Sequence, residues 1–257
     1  MRFMFDGMPD TCSEIDVTML IREHFEIQET AVTIISKKEY VKTAKDAIFE
    51  AREIIERKIT EDPFFQTTYD PYLPCNNDDE LIQRMCRASV LADVGPMATV
   101  AGAVAVYAIE RMQEQGCKHA VIDNGGDIVL MTDRDIIIGL FTGDNELKDI
   151  ALNITPTDTV KGICSSSGKI GPSVSFGQSN IATVFSNDVI LADAAATRLG
   201  NLVKDHDLAE ALEIIGNIPG IDGCLMCNDG KLAMFGDIPE LVQKEIPEDR
   251  ITGIRFA

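Results

Sequence analysis

Tryptophan is absent from the 257 residues, and aromatic residues make up only 6% of them. The core must therefore be built from Ala, Ile, Leu, Val and Met. Histidine is nearly absent as well: His24, His119 and His206 stand far apart, which gives no support to a His-based catalytic triad. Basic residues are few, with 23 Lys and Arg against 42 Asp and Glu for a net charge of −19. That balance speaks against nucleic acid and against anionic membrane surfaces, because both attract clustered Lys and Arg. No run of about 18 apolar residues occurs. Met1–Asp10 lacks a basic segment followed by an apolar one, so a cytoplasmic, untargeted chain is expected. The seven cysteines, at 12, 75, 86, 117, 164, 224 and 227, are odd in number and scattered. They do not form a disulfide framework and suit a reducing compartment.

What is present is clear periodicity. Ile15–Ile21 and Thr30–Ile35 are β-branched runs and read as strands. From Val41 to Ile59 apolar residues recur every three or four positions, which predicts a long helix stopped by Glu61-Asp62-Pro63. Residues 62–79 hold three prolines and read as a bend over the surface or a lid. Asp78 or Asp79 can cap the next helix, through Ala92. An alanine-rich helix follows from about Met97 to Gln115.

His119–Asp123 and Asp127–Met131 read as a hairpin whose Asn-Gly supplies the positive φ angles of a tight turn. Further strands are expected at 135–141, 150–154 and 181–186, and helices at Leu191–Val203 and Leu208–Ile215, the latter capped by Asp207. Lys161–Gln178 reads as strand plus loop, and a last hairpin spans 223–235. Strands arrive in hairpins and helices in consecutive pairs. That predicts an α+β fold with a largely antiparallel sheet.

Four stretches carry candidate chemistry. In Asp123-Asn124-Gly125-Gly126-Asp127 the glycines let a ligand approach the backbone, and Asn124 and Asp127 offer oxygens; a plain hairpin turn has the same residues. In Ser165-Ser166-Ser167-Gly168-Lys169 hydroxyls and backbone N–H groups can cradle phosphate, although the spacing is not a Walker A loop. Asp193 and Thr197 lie one helical turn apart. Together they form an all-oxygen half-site of the kind Mg2+ accepts. The alternative is that Asp193 caps its own helix. In Val94–Gly102 small residues permit close approach of main chain, either to a ligand or to another helix. Cys224-Leu225-Met226-Cys227 is a C-x-x-C, but on a strand residues three apart face opposite sides of the sheet. No second Cys or His pair lies near it with zinc spacing.

Taken in order, GPMATVAGA, DNGGDI, SSSGKIGPSVSFGQ and LADAAATRLGN resemble an uncharacterised cytoplasmic protein family distantly related to ApbE, the FAD:protein FMN transferase. The resemblance to that family covers nearly the whole chain, so 1–257 is expected to be a single ApbE-like domain. The remoter one to ApbE rests on three short motifs. It implies an ApbE-like T-fold with an antiparallel sheet and long paired helices. Carried over by motif, Asn124, Gly125, Gly126 and Asp127 would lie at a flavin pocket with Ser166, Ser167 and Gly168. Asp193, Thr197 and the Ala98 carbonyl would hold Mg2+. The sequence departs from ApbE at Thr99 and Val100, where that family has Lys and Gly, and at Gly171–Gln178, which replaces a His-Ile-x-Asp-Pro segment.

The expectation is an ApbE-like protein that binds FAD, a related flavin nucleotide or another phosphorylated small molecule through Mg2+. If it is an enzyme, metal-assisted transfer or cleavage at a phosphate is the reaction class. A homo-oligomer is expected by analogy with T-fold sheets. The alternative is a sulfur-trafficking or sulfide-assimilation protein using a reactive cysteine, with Cys86 and Cys164 as candidates; buried, inert thiols are the competing reading of both.

Overall fold

The computed structural model describes residues 19–27, 30–140, 150–166, 181–203, 206–228 and 231–244. Among these the chain forms β1 (Leu20–Ile27), β2 (Thr30–Lys37), α1 (Lys38–Glu61), the short α2 (Phe64–Thr67), α3 (Glu80–Ala92) and α4 (Val100–Glu114). It continues with β3 (Ala120–Asn124), β4 (Asp127–Thr132), β5 (Ile136–Gly139), β6 (Ile150–Ile154), β7 (Thr157–Ser166) and β8 (Ile181–Ser186). The last elements are α5 (Val189–Leu202), α6 (Leu208–Gly216), β9 (Gly223–Asn228), β10 (Lys231–Gly236) and β11 (Glu240–Gln243).

Eight strands form one sheet in the order β1-β2-β3-β4-β7-β8-β9-β10, and every pairing in it is antiparallel. The expected α+β class with an antiparallel sheet is what the chain adopts. Because side chains alternate along a strand, the sheet has two apolar faces. One carries Val32, Ile34, Ile122, Val129, Cys164 and Val184 under the helices. The other carries Ile35, Val121, Ile128, Leu130 and Ile163. A three-stranded sheet, β11-β6-β5, covers that second face with Ile136, Ile138, Leu152 and Ile154.

The helical layer follows from the periodicities. α1 buries Val41, Ala44, Ile48, Ala51 and Ile55 and packs beside α4. α3 starts where Asp79 accepts a hydrogen bond from the Leu81 N–H, at 2.9 Å. It ends at Asp93, the one non-glycine residue with positive φ among those described, at 55°. α5 is enclosed by the sheet, α3 and α4, and all of Val189–Ala196 is buried. Its alanines allow this, as does Gly162, where a Cβ would lie 3.0 Å from the Val189 Cα. α6 begins at Asp207, whose carboxylate accepts from the Glu210 N–H.

Several expectations need correction. Most of the strand expected at Ile15–Ile21 lies outside the described residues, and the first described strand runs on to Ile27. It alternates half-buried and exposed side chains, as an edge strand with one wet face does, so an apolar run is the wrong signal for it. The alanine-rich helix starts at Val100, preceded by one 3-10 turn over Pro96–Thr99, because proline brings no N–H and suits the opening of a turn. The chain bends by 107° between Glu80–Ala92 and Pro96–Glu114, and no single described helix is long and apolar enough to cross a membrane.

Residues 62–79 form the expected bend over the surface, tethered to the helices. Phe65 is fully buried, and Asp78 forms a 2.8 Å ion pair with Lys58 of α1 in which both side chains are 7% exposed. The Tyr72 hydroxyl donates to Asp62 at 2.6 Å, and the Tyr72 N–H donates to Ser89 of α3. The stretch is strapped to the helices at both ends.

Candidate functional site

Three pieces of chain converge at the end of the sheet below α4 and α5. The first is the β3–β4 hairpin, in which Asn124 pairs with Asp127 across a two-residue turn. Both turn residues have positive φ, Gly125 at 68° and Gly126 at 112°. That pattern is the primed turn that matches sheet twist, and glycine adopts it without strain. The positive angles therefore fall on Gly-Gly, not on Asn124-Gly125. Asn124 ends the strand, and its amide donates to the Ala101 carbonyl of α4 at 3.1 Å. A Cβ at Gly125 would meet nothing within 4 Å, so the turn borders open space. The Gly125 N–H donates to the Ala31 carbonyl of β2 at 3.2 Å.

The second piece is α5. Asp188 caps this helix by accepting from the Leu191 N–H at 3.1 Å, so Asp193 is not a cap of its own helix. Asp193 instead reaches across to α4. Its Oδ2 accepts from the Gly102 N–H at 2.8 Å, and the Ala101 N–H also points at it. Those N–H groups belong to the first turn of α4, where no intrahelical partner exists and the helix dipole favours an anion. Gly102 makes the approach possible, since a Cβ there would lie 2.9 Å from the Asp193 Cβ.

The third piece is the turn before α4. The Ala98 N–H donates to the Gly95 carbonyl, and the Thr99 hydroxyl donates to that of Pro96 at 2.7 Å. Asp93 pairs with Arg198 of α5 at 2.8 Å, beside Thr197. A Cβ at Gly95 would lie 2.2 Å from the Thr68 carbonyl oxygen, so this turn is pinned against the strapped segment.

These pieces enclose a cleft of about 480 Å³. Of the residues singled out in the sequence, Ala98, Asn124, Gly125, Asp127, Ser166, Asp193 and Thr197 line it. Gly126 is buried behind the turn. Ser167 and Gly168 lie outside the described residues. Sequence reasoning misses the far wall: Arg52, Ile55 and Ile59 of α1 with Thr30 and Ala31 of β2. A signal exists, because Arg52, Ile55 and Ile59 recur at helical spacing along one side of α1.

Two carboxylates face the cleft almost fully buried, Asp193 at 7% and Asp127 at 8% exposure. Burial pushes the Asp127 carboxyl up to about 7; the Ser165 N–H, donating at 3.2 Å, opposes this, and Asp123 adds to it. Asp193 is raised well above the carboxylate range, by burial first and by Asp127 second. Among the described residues no three His, Cys, Asp or Glu side chains converge as a metal cluster. A cation here would rest on these carboxylates with neutral oxygens from Thr197 and the main chain. Such a set of hard donors suits Mg2+, which keeps several waters and takes phosphate oxygens as well.

The cysteines are differently placed. Cys86 and Cys164 are both 0% exposed. Burial raises Cys86 to about 11 and holds Cys164 well above its usual value, with Asp127 and Asp193 adding to the latter. A reactive thiol needs exposure and a lowered pKa. Cys75 is the exposed thiol among the described residues. In the C-x-x-C both sulfurs are buried, and the Cys224 thiol donates to the Leu212 carbonyl of α6.

Comparison with solved structures agrees with the architecture. The flavin transferase ApbE from Vibrio cholerae superposes with a TM-score of 0.55 over 84% of this chain and 96% of that one, at 13% identity. The apo form of the Pseudomonas stutzeri flavinyl transferase ApbE gives 0.56 over 87% and 97%, at 11% identity. These likenesses show a shared fold. Sequence relatives are nearer. A UPF0280 protein of Methanothrix thermoacetophila is 43% identical over 91% of this chain and 99% of its own length. One from Archaeoglobus fulgidus is 44% identical over 90% and 98%. The family model described as AbpE bacteria matches residues 16–214, and the chain belongs to that family of ApbE-like UPF0280 proteins.

Proposed function

We propose that the cleft binds a flavin nucleotide or a closely similar phosphorylated ligand through Mg2+. The observation that carries this reading is the convergence of Asp193, Thr197, Ala98 and Asp127 with the double-glycine turn around one cleft. The solved ApbE proteins, which bear the names of flavin transferases, share the fold and so favour a flavin as the guest.

Asp193 and Thr197 would hold the cation from α5, with the Ala98 carbonyl beside them. When bound, Mg2+ neutralises and polarises phosphate oxygens. The chain's own residues do the rest. The N–H groups of Ala101 and Gly102 fix the Asp193 carboxylate so that it cannot swing away from the cleft. Asn124, locked onto the Ala101 carbonyl, holds the hairpin at a set distance from α4. Gly125 leaves room for the ligand against main chain. Ile55, Ile59 and Met97 give an apolar wall on which a flat ring can lie. A dication would displace the protons that burial holds on Asp127 and Asp193 and offset the repulsion between the resulting carboxylates, so metal and anionic ligand bind better together than apart.

Calorimetric titration with FAD, with and without MgCl2, tests this. Asp193→Asn is the suitable variant, because it removes the charge and keeps an acceptor for the α4 N–H groups. FAD should bind at least about tenfold more tightly with Mg2+, and the variant should lose most of that gain. Equal affinity without metal, or an unaltered metal effect in Asp193→Asn, would refute the proposal.

A further inference from the structure

The main sheet ends in two unlike edges. β1, at one end, exposes Arg22, His24 and Glu26. Charges on an edge discourage a second chain from pairing there. β10, at the other end, reads KLAMFG, with no acidic residue and no proline, and among the described residues no strand pairs with its outer side. Neighbouring residues of a strand point opposite ways, so this edge bares apolar side chains on both faces of the sheet. Met234 is 47% and Phe235 38% exposed. The Phe235 ring lies against α6, where a Cβ at Gly216 would meet it at 2.2 Å, and Ile214 of α6 is exposed as well. Such an edge offers a row of main-chain N–H and C=O groups flanked by apolar surface, which is what an added strand needs.

The charges at the two ends of this edge point to its occupant. Lys231 opens β10, and Asp237 follows it. The Asp237 N–H donates to the Asp222 carbonyl at 2.8 Å, so the ladder on the β9 side runs on to that residue. Both side chains are exposed. A twofold axis normal to a sheet pairs a strand antiparallel with its own copy, and one residue on the axis then faces itself. With Met234 on the axis, Lys231 lies opposite Asp237 of the second copy, and the reverse, so two pairs of opposite charge form together. Ala233 then lies opposite Phe235, a small side chain against a ring. Moving the axis to Ala233 sets Lys231 opposite Phe235 and loses both charge pairs. In a chain of net charge −19 a self-contact has to keep acid away from acid, and the Met234 register does so.

We propose that β10 is a homodimerisation edge: two copies pair antiparallel through β10 about a twofold axis at Met234, and their main sheets become one continuous sheet. The surface is self-complementary, and β1 at the far edge is guarded by charge, so assembly stops at two. The inference stands apart from whatever the cleft binds.

Sedimentation equilibrium of the full chain, from about 1 to 100 μM, tests this, and a dimer with a Kd in that range is expected. Met234→Lys sets two ammonium groups face to face on the axis and should weaken the dimer at least about tenfold. Lys231→Asp and Asp237→Lys should each weaken it by about 3- to 10-fold. The double swap keeps the net charge and should restore the wild-type affinity. Thermal unfolding checks that each variant folds; if Met234→Lys does not, the swap carries the comparison. The register is read separately by diamide oxidation in a Cys12→Ser, Cys75→Ser background. Facing residues lie about 4.5–5.5 Å apart at Cα, within reach of a disulfide, so Met234→Cys should cross-link the two copies. Ala233→Cys should not, because its copies are offset by two residues, about 7 Å along the strand. A wild type that stays monomeric at 100 μM or grows beyond a dimer would overturn the inference. So would a dimer indifferent to Met234→Lys, a swap that restores nothing, or cross-linking at Ala233→Cys in place of Met234→Cys.

Discussion

Asp127 keeps its proton more firmly in the folded chain than in the unfolded one, where an Asp titrates near about 3.9. Between that value and about 7 the native state holds more protons, so stability falls as pH rises through this window. In EDTA, thermal unfolding between about pH 4.5 and 8 should show a declining Tm, and Asp127→Asn should flatten the decline. An identical slope in that variant would mean that another group is responsible. Gly102 gives a steric counterpart. A methyl there meets the Asp193 Cβ at 2.9 Å and the Val189 carbonyl at 3.0 Å. Gly102→Ala should cost about 1–3 kcal/mol as overpacking, read from urea unfolding, and should weaken Mg2+-dependent ligand binding by displacing Asp193. At this scale the sequence is partly readable. Asp193 and Thr197 can be picked out because their spacing is local. For Arg52 only the helical spacing with Ile55 and Ile59 is local; that this side of α1 borders the cleft depends on β2 and the β3–β4 turn arriving opposite it. The role of Gly102 is equally hidden: a small residue in a helix does not reveal which neighbour approaches it.

Among the elements, the strap over residues 62–79 takes the first of its two expected forms, a bend over the surface. Prolines predict an irregular path and say nothing of whether it is tethered. Lys58 and Asp78 settle that here, twenty residues apart and both nearly buried. Burial alone would lower the Lys58 pKa, but Asp78 and Tyr72 outweigh it and raise it. Removing one partner leaves a buried charge alone, so Asp78→Ala should destabilise by about 3–5 kcal/mol. Lys58→Met with Asp78→Ala should recover much of the loss, and a double-mutant cycle by denaturant unfolding measures it. Simple addition of the two single losses would show that the pair is not coupled. Helix caps, in contrast, are legible from sequence: Asp79 and Asp207 do what an Asp before an apolar run is expected to do. Caps are local chemistry, whereas tethers are tertiary.

At the scale of the whole molecule, five of the six cysteines among the described residues are sheltered. Cys86, Cys117, Cys164, Cys224 and Cys227 are buried, and Cys75 is exposed. Thiol titration of the native protein should therefore modify Cys75 quickly, and these five only as the protein unfolds. Rapid native-state labelling of Cys86 or Cys164 would support a sulfur-carrier role. The layered arrangement is legible in outline, because hairpins and paired helices imply an antiparallel sheet under helices. That β5, β6 and β11 leave the main sheet to cover its second face is not. Their apolar runs look like any other strand, and only the company they keep distinguishes them.

The enclosure of α5 has one more consequence. The helix that presents Asp193 and Thr197 is wedged between the sheet, α3 and α4, so its amides can exchange with solvent only when the body as a whole comes apart. The floor of the cleft is thus as rigid as the protein itself, and any change in the shape of the cleft must come from its rim.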